Sequence, residues 1–246
     1  MAAGLGKRMR TGLPKVLHEV DGRPLVHYVI DLARSVGSSR ILLVVSHGRE
    51  QVMAATRDLN VEWVIQKEPL GTANAVNSCR ETLDGYCGDV LILSGDVPLL
   101  GRRTVLEALD VHRRSHAAAT VFTFYPPDPT GYGRIMRGSG GRLLRIAEQE
   151  GATAYELEIR EVNGGVYFFA AEPLFRALEK VSFQTATGEY YLTDTISILA
   201  GWKERLSAYP VEDPLELSGV NNLKQLAEVE RELVRRKLPE VLTRAR

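Results

Sequence analysis

The chain has 246 residues, 44% of them hydrophobic, with 31 Lys plus Arg against 31 Asp plus Glu; it can bury one large α/β domain, and wholesale disorder is excluded. Zero formal net charge excludes a global field that would draw nucleic acid or anionic lipid. No apolar run approaches the ~20 residues of a membrane span, residues 1–30 lack a signal-peptide core, and Cys79 and Cys87 fit no metal spacing, so the chain reads as a reduced, cytoplasmic protein with neither membrane nor nucleic-acid partner.

In chain order, the first signal is Ala2-Ala3-Gly4-Leu5-Gly6-Lys7-Arg8-Met9, followed by Leu13-Pro14-Lys15. Two glycines allow close backbone approach, and Lys7, Arg8 and Lys15 supply cations for a polyphosphate. A flexible basic terminus is the plainer reading of so short a motif. Residues 40–46 (R-I-L-L-V-V-S) and 90–93 (V-L-I-L) are apolar runs of the kind found in strands covered on both faces, with a shorter strand at 61–66. Helical patterns occupy 25–36, 49–59, 72–83 and 104–115. This βαβα order predicts a doubly wound, mostly parallel Rossmann-like sheet with ligands at the carboxyl ends of its strands.

Beyond residue 117 the texture becomes short strands at 117–125, 133–136, 143–148 and 162–170, which read as a β-rich lid. Helices follow at 173–180 and 192–203, then an apolar stretch at 206–211 and an amphipathic helix from Leu223 carrying Leu226, Val229 and Leu233. One conflict stands out. A phosphate loop in this fold follows a buried central strand, yet only Met1 precedes this one. A missing first strand leaves two neighbours with unpaired backbone groups at about 1–3 kcal/mol each, which predicts a native product that starts upstream.

Ser94-Gly95-Asp96-Val97-Pro98 ends the strand at 90–93 and sets a carboxylate at the sheet edge, where it suits Mg²⁺ completed by phosphates and water, or merely caps the next turn. Gln66 to Ala73 supplies an amide for base reading, a glycine loop and, in Thr72, a hydroxyl for helix capping. His112 and His116 are four apart but lack the glutamate of a zinc protease and read as surface residues. No Gly-x-Ser-x-Gly elbow or Walker arrangement occurs, and Cys79 reads as packing.

These motifs stand in order with Leu13-Pro14-Lys15-Val16-Leu17-His18, Asp128-Pro129-Thr130-Gly131-Tyr132-Gly133-Arg134-Ile135, Gly188-Glu189-Tyr190-Tyr191-Leu192-Thr193-Asp194 and Gly219-Val220-Asn221-Asn222. Together they resemble, over essentially the whole chain, the uridylyltransferase (pyrophosphorylase) domain of the bacterial bifunctional N-acetylglucosamine-1-phosphate uridyltransferase/glucosamine-1-phosphate acetyltransferase family. The resemblance implies a Mg²⁺-dependent transfer of UMP from UTP to N-acetylglucosamine 1-phosphate, giving UDP-N-acetylglucosamine for peptidoglycan and cell-wall synthesis. It implies that Ala2, Ala3 and Gly4 approach the nucleotide through backbone, that Arg8 and Lys15 meet the phosphates as the catalytic cations, and that Gln66, Gly71 and Thr72 sit by the uracil and nearby sugar. Asp96 and Asn221 match the Mg²⁺ ligands, and Ser94, Gly95, Gly133, Glu148 and Asn163 fall at the nucleotide-sugar pocket.

On the same basis residues 1–222 are expected to form the nucleotidyltransferase domain, with a nucleotide-binding half at 1–116 and a sugar-binding half at 117–222, and 223–246 the terminal helix. The family commonly has Asn-Thr-Gly where this chain reads Asn163-Gly164-Gly165, a departure that bears on sugar selectivity; locally the same triplet reads as a hairpin turn. The chain ends at Arg246 without hexapeptide repeats, so acetyl transfer is expected to be absent from it, leaving a homo-oligomer or a separate acetyltransferase partner open. Another base or sugar, or an inactive nucleotide-sugar-binding module, is the alternative.

Overall fold

Alternation of β-branched and aromatic side chains in the middle of the chain builds one sheet with both faces covered. The computed structural model describes residues 1–4, 9, 12–185 and 187–244, with side chains as far as Arg236. In order these form β1 (Glu19–Val20), β2 (Arg23–Pro24), α1 (Leu25–Ser35), β3 (Leu42–Val45), α2 (Arg49–Thr56), β4 (Glu62–Ile65), α3 (Thr72–Asn77), β5 (Asp89–Ile92) and α4 (Arg102–Arg114). Then come β6 (Ala119–Phe124), β7 (Arg134–Arg137), β8 (Leu143–Ala147), α5 (Ala154–Leu157), β9 (Val162–Ala170), α6 (Ala171–Leu178), α7 (Asp194–Gly201), β10 (Leu206–Pro210) and α8 (Leu223–Arg244).

Among the described residues, six strands form the main sheet in the order β10-β6-β9-β7-β8, with β5 on β9. β9 runs antiparallel to both β5 and β6, whereas β10 is parallel to β6 and β3 to β4. β5, β6 and β10 thus share one direction, against which β9 is reversed. Along β6 and β9 the side chains alternate between two cores. Val121, Tyr167 and Phe169 meet Leu174 of α6 and Ile196 and Leu199 of α7. Phe122, Phe124, Val166 and Phe168 meet Val105 and Ala108 of α4 and Leu217. The α8 helix is tied down by Val229, which packs with Val20, Leu25 and Leu99, and by Arg236, whose guanidinium donates to the Leu99 carbonyl and to Asp213.

The expected gap in the sheet has a structural counterpart. β3 and β4 form a separate two-stranded sheet, and β3 makes no ladder with β5 among the described residues. Met1 and Ala2 bridge only the carboxyl ends: the Met1 ammonium donates to the Leu93 carbonyl at 2.7 Å, Gly95 N–H to the Met1 carbonyl at 2.9 Å, and Ala2 N–H to the Val44 carbonyl at 2.8 Å. Burial holds that ammonium below the ordinary amine range, with Cys79 and Asp96 opposing. Behind it lies a cavity of about 350 Å³ whose walls include Leu42, Val44, Leu91, Leu93, Cys79 and Phe168.

Three local expectations are corrected. The helical pattern at 72–83 breaks into α3 and a separate 3-10 turn at Glu81–Leu83. The Asn163-Gly164-Gly165 triplet is no hairpin: β9 runs through it, and its register against β6 shifts between Val121 and Thr123, where Tyr167 and Asn163 are the partners, so the extra residues bulge out with Gly165 at φ 70°. His112 is not a surface residue. It is buried, with Nδ1 2.9 Å from Thr120 Oγ1 and its ring stacked on Phe168, and burial lowers its pKa; His116 is exposed as expected.

Candidate nucleotide and metal site

Pro14 and the buried Val16 and Leu17 set a single 3-10 turn, Lys15–Leu17, against Ala2 and Val45, which leaves Lys15 on the open side. Its ammonium donates to Asp96 Oδ2 at 2.5 Å and to Asn221 Oδ1 at 3.2 Å. The two partners lie 125 positions apart in the chain and are brought together by Val220, whose N–H donates to the Asp96 carbonyl at 3.0 Å. Asn221 is anchored from behind: Gln225 Oε1 accepts its backbone N–H at 2.8 Å, and its Nδ2 donates to the Gly219 carbonyl at 3.3 Å. A Cβ at Gly219 would stand 3.0 Å from Asp96 Oδ2, so glycine there keeps the carboxylate in place. Gly95 is similarly constrained, since a Cβ would meet the Met1 carbonyl and Val16 at 2.9 Å.

From Asp96 a continuous arc of contacts runs through the other sequence-selected residues. Ser94 Oγ donates to the Gly165 carbonyl at 3.4 Å, and Gly165 N–H donates to Asn163 Oδ1 at 3.1 Å. Asn163 also donates from Nδ2 to the Tyr167 hydroxyl at 2.7 Å and from its backbone to the Gly133 carbonyl at 2.8 Å. A Cβ on Gly133 would lie 2.7 Å from Ile146 and 3.3 Å from Glu148 Oε2, so the glycine admits the carboxylate. Glu148 accepts from Thr193 Oγ1 at 2.5 Å. Desolvation raises its pKa; the Thr193 bond opposes this, and Glu150, Asp194 and Glu189 add to it.

The arc closes on the loop after β4. Leu192 N–H donates to Thr72 Oγ1 at 2.9 Å, so Thr72, the first residue of α3, does not cap that helix as expected; Gly71 stands at the cap. Gly71 adopts φ 100° and packs against Tyr190, whose backbone a Cβ would strike at 2.6 Å. Gln66 is buried, and its Nε2 donates to the Gly71 carbonyl at 3.2 Å and to Asn74 Oδ1 at 2.7 Å, which shapes the loop. Ala2 and Ala3 are buried at the head of the gap, whereas Gly4 is exposed with open space around it. Arg8, with Gly6 and Lys7, lies outside the described residues. Thr193, Tyr167, Gln225 and Asn74 were not selected from sequence; of these only Thr193 lay within a quoted motif.

Whether these residues suit a divalent cation is answered by Lys15. Two oxygens of different chemistry, one carboxylate and one amide, converge on a single positive charge, the donor set in which Mg²⁺ is held by one or two protein groups and completed by phosphate and water. Among the described residues no group of three or more His, Cys, Asp and Glu side chains is arranged for a metal, and no helix is long and apolar enough to cross a membrane.

The model of the MobA-like NTP transferase domain matches residues 1–187. The chain is 41% identical over 242 residues to the bifunctional protein GlmU of Pelotomaculum thermopropionicum, covering 98% of this chain and 53% of that protein. It is 38% identical over 242 residues to the bifunctional protein GlmU of Desulfotalea psychrophila, covering 98% and 71%. It thus spans about half the length of the first of these relatives. A crystal structure of UDP-glucose pyrophosphorylase complexed with UDP-glucose superposes with a TM-score of 0.74 at 15% identity, covering 96% of this chain and 97% of that one. That likeness carries the fold alone, and the fold agrees with the α/β expectation. The chain belongs to the family of MobA-like NTP transferase domains, in the group of the bifunctional GlmU proteins.

Proposed function

We propose that this chain transfers UMP from UTP to N-acetylglucosamine 1-phosphate in the presence of Mg²⁺, releasing pyrophosphate. The observation that carries the reading is the convergence of Asp96 and Asn221 on one cation, just past the carboxyl end of β5, where Gly95 N–H donates to the Met1 carbonyl. A sugar 1-phosphate is mostly dianionic at pH 7, because the second pKa of a phosphate monoester is about 6, so it needs no protein base. One of its oxygens forms a bond to the α-phosphorus of UTP while the bond from that phosphorus to the pyrophosphate oxygen breaks. No protein nucleophile takes part. The obstacle is the mutual repulsion of two polyanions held in line.

Lys15, with Arg8 as a second cation, offsets that repulsion and the charge that develops on pyrophosphate. A divalent cation bound through Asp96 and Asn221 supplies further neutralisation of the same phosphates. In this reading residues 1–116 serve the nucleotide, with Gln66, Gly71 and Thr72 beside the base, and residues 117–222 serve the sugar. Glu148 and Asn163 offer hydrogen bonds to hydroxyl and acetamido groups, which a purely apolar pocket could not discriminate.

Pyrophosphate release, measured with UTP, N-acetylglucosamine 1-phosphate and Mg²⁺, tests this. Release should need all three components and stop with a chelator. Faster release with another nucleoside triphosphate or hexose phosphate would reassign the substrates. Tight binding of UDP-N-acetylglucosamine with no Mg²⁺-dependent release would make the chain a binding module.

A further inference from the structure

We infer that Lys15 is a tethered counter-ion that occupies the cation position between Asp96 and Asn221 until a triphosphate draws it away, so that divalent metal and nucleotide bind with positive coupling. This rests on the proposal that Asp96 and Asn221 are the metal ligands. The same ammonium reaches both oxygens, at 2.5 and 3.2 Å, and the Lys15 and Asp96 side chains are only 18% and 13% exposed. Charge–charge interactions in so dry a place are stronger than at an open surface. The Asp96 oxygen that holds the ammonium cannot also take a divalent ion without bringing like charges into near contact. Without nucleotide, the metal must therefore displace Lys15 into solvent, away from its carboxylate.

A bound triphosphate changes the balance. It offers the ammonium a new anionic partner and frees Asp96, so each ligand removes a cost from the binding of the other, by the same factor in both directions. The turn Lys15–Leu17 suits this motion: Val16 and Leu17 are buried and fix the backbone, so a change of partner needs only new rotamers along the flexible lysine stem.

Binding of Mn²⁺ alone, without nucleotide, followed by electron paramagnetic resonance of the free ion, tests the inference. Lys15→Met should bind Mn²⁺ about 10-fold or more tighter than the parent, within the range of ordinary coupling between sites, and Lys15→Arg, which keeps the charge, should stay near the parent. The rise in thermal midpoint caused by Mn²⁺ should be larger in Lys15→Met than in the parent, which also reports that the variant is folded. Equal Mn²⁺ affinity in Lys15→Met and the parent, with binding abolished by Asp96→Ala, would overturn the counter-ion role while sparing the ligand assignment. Undiminished Mn²⁺ binding by Asp96→Ala would overturn both.

Discussion

The Thr193 hydroxyl donates to Glu148 Oε1 at 2.5 Å, linking the loop before α7 to the strand end after β8 across 45 positions of sequence. Glu148 is a carboxylate paid for by burial: desolvation pushes its pKa above the ordinary glutamate range, and Thr193 holds it partly back. A carboxyl whose folded-state pKa is raised binds its proton more tightly when folded. Its cost is absent below about pH 4.3, the unfolded value, and accumulates as the pH rises through the folded value. Glu148→Gln should therefore unfold at a higher temperature than the parent at neutral pH and converge with it near pH 4. The same variant should bind UDP-N-acetylglucosamine about 10-fold more weakly or worse, the scale of a lost charged hydrogen bond. Thermal melts across pH and ligand titration check the two halves separately.

Gly164 stands where the resemblance implies a threonine, and the space that a threonine would need is filled from within. A Cβ there would lie 2.5 Å from Leu217 Cδ1 and 3.0 Å from the Phe122 carbonyl, and Leu217 is 1% exposed. Gly164→Thr is expected to cost about 1–3 kcal/mol by overpacking. Leu217→Ala alone should cost about 2–5 kcal/mol through the cavity it leaves. Combined, the two should be less damaging than their sum, with an interaction energy of about 0.5–3 kcal/mol. Denaturant unfolding of the four proteins measures it, and strict additivity would show that the contact is not what excludes threonine.

Lys15→Ala should lower turnover with UTP and N-acetylglucosamine 1-phosphate by about 10²–10³-fold, the usual scale for one electrostatic stabiliser. Steady-state pyrophosphate release at saturating substrate reads this directly. A variant within a few-fold of the parent would remove Lys15 from the mechanism.

The two thiols should separate cleanly under a disulfide reagent at pH 8. Cys87 is exposed, whereas Cys79 is buried and its thiol is pushed up to about 11 by burial, only partly offset by the Met1 ammonium. One equivalent should react at once and the second only on unfolding, because the thiolate is the reactive form.

How far the chain could be read from its residues depended on the range of the interaction. β9 was legible as a strand because its apolar run Val166-Tyr167-Phe168-Phe169-Ala170 is local, yet the hairpin read into Asn163-Gly164-Gly165 failed, since pairing with β6 on the far side of the bulge overrode the turn preference of three residues. His112 was misjudged from its neighbours Arg113 and Arg114; its spacing from Val105 and Ala108 on the buried face of α4 carried the correct signal. Asp96 and Asn221 were legible as motif residues, but nothing local could reveal that Lys15 spans them, nor that Thr72 reaches Leu192 instead of its own helix.

The unfilled volume between the two sheets has a mechanical consequence. Water enters such a void when the chain unfolds, so the unfolded state occupies less space, and hydrostatic pressure should shift the equilibrium towards it. The cavity of about 350 Å³ beside Leu42, Leu91 and Phe168 opens in part to solvent, so only its dry, apolar part adds to a volume change on unfolding within the usual span of about −20 to −100 mL/mol. High-pressure tryptophan fluorescence has a reporter at the edge of the smaller sheet in Trp63, whose indole N–H donates to Thr56 Oγ1 at 3.0 Å. That sheet should come loose at lower compression than the strands around β9.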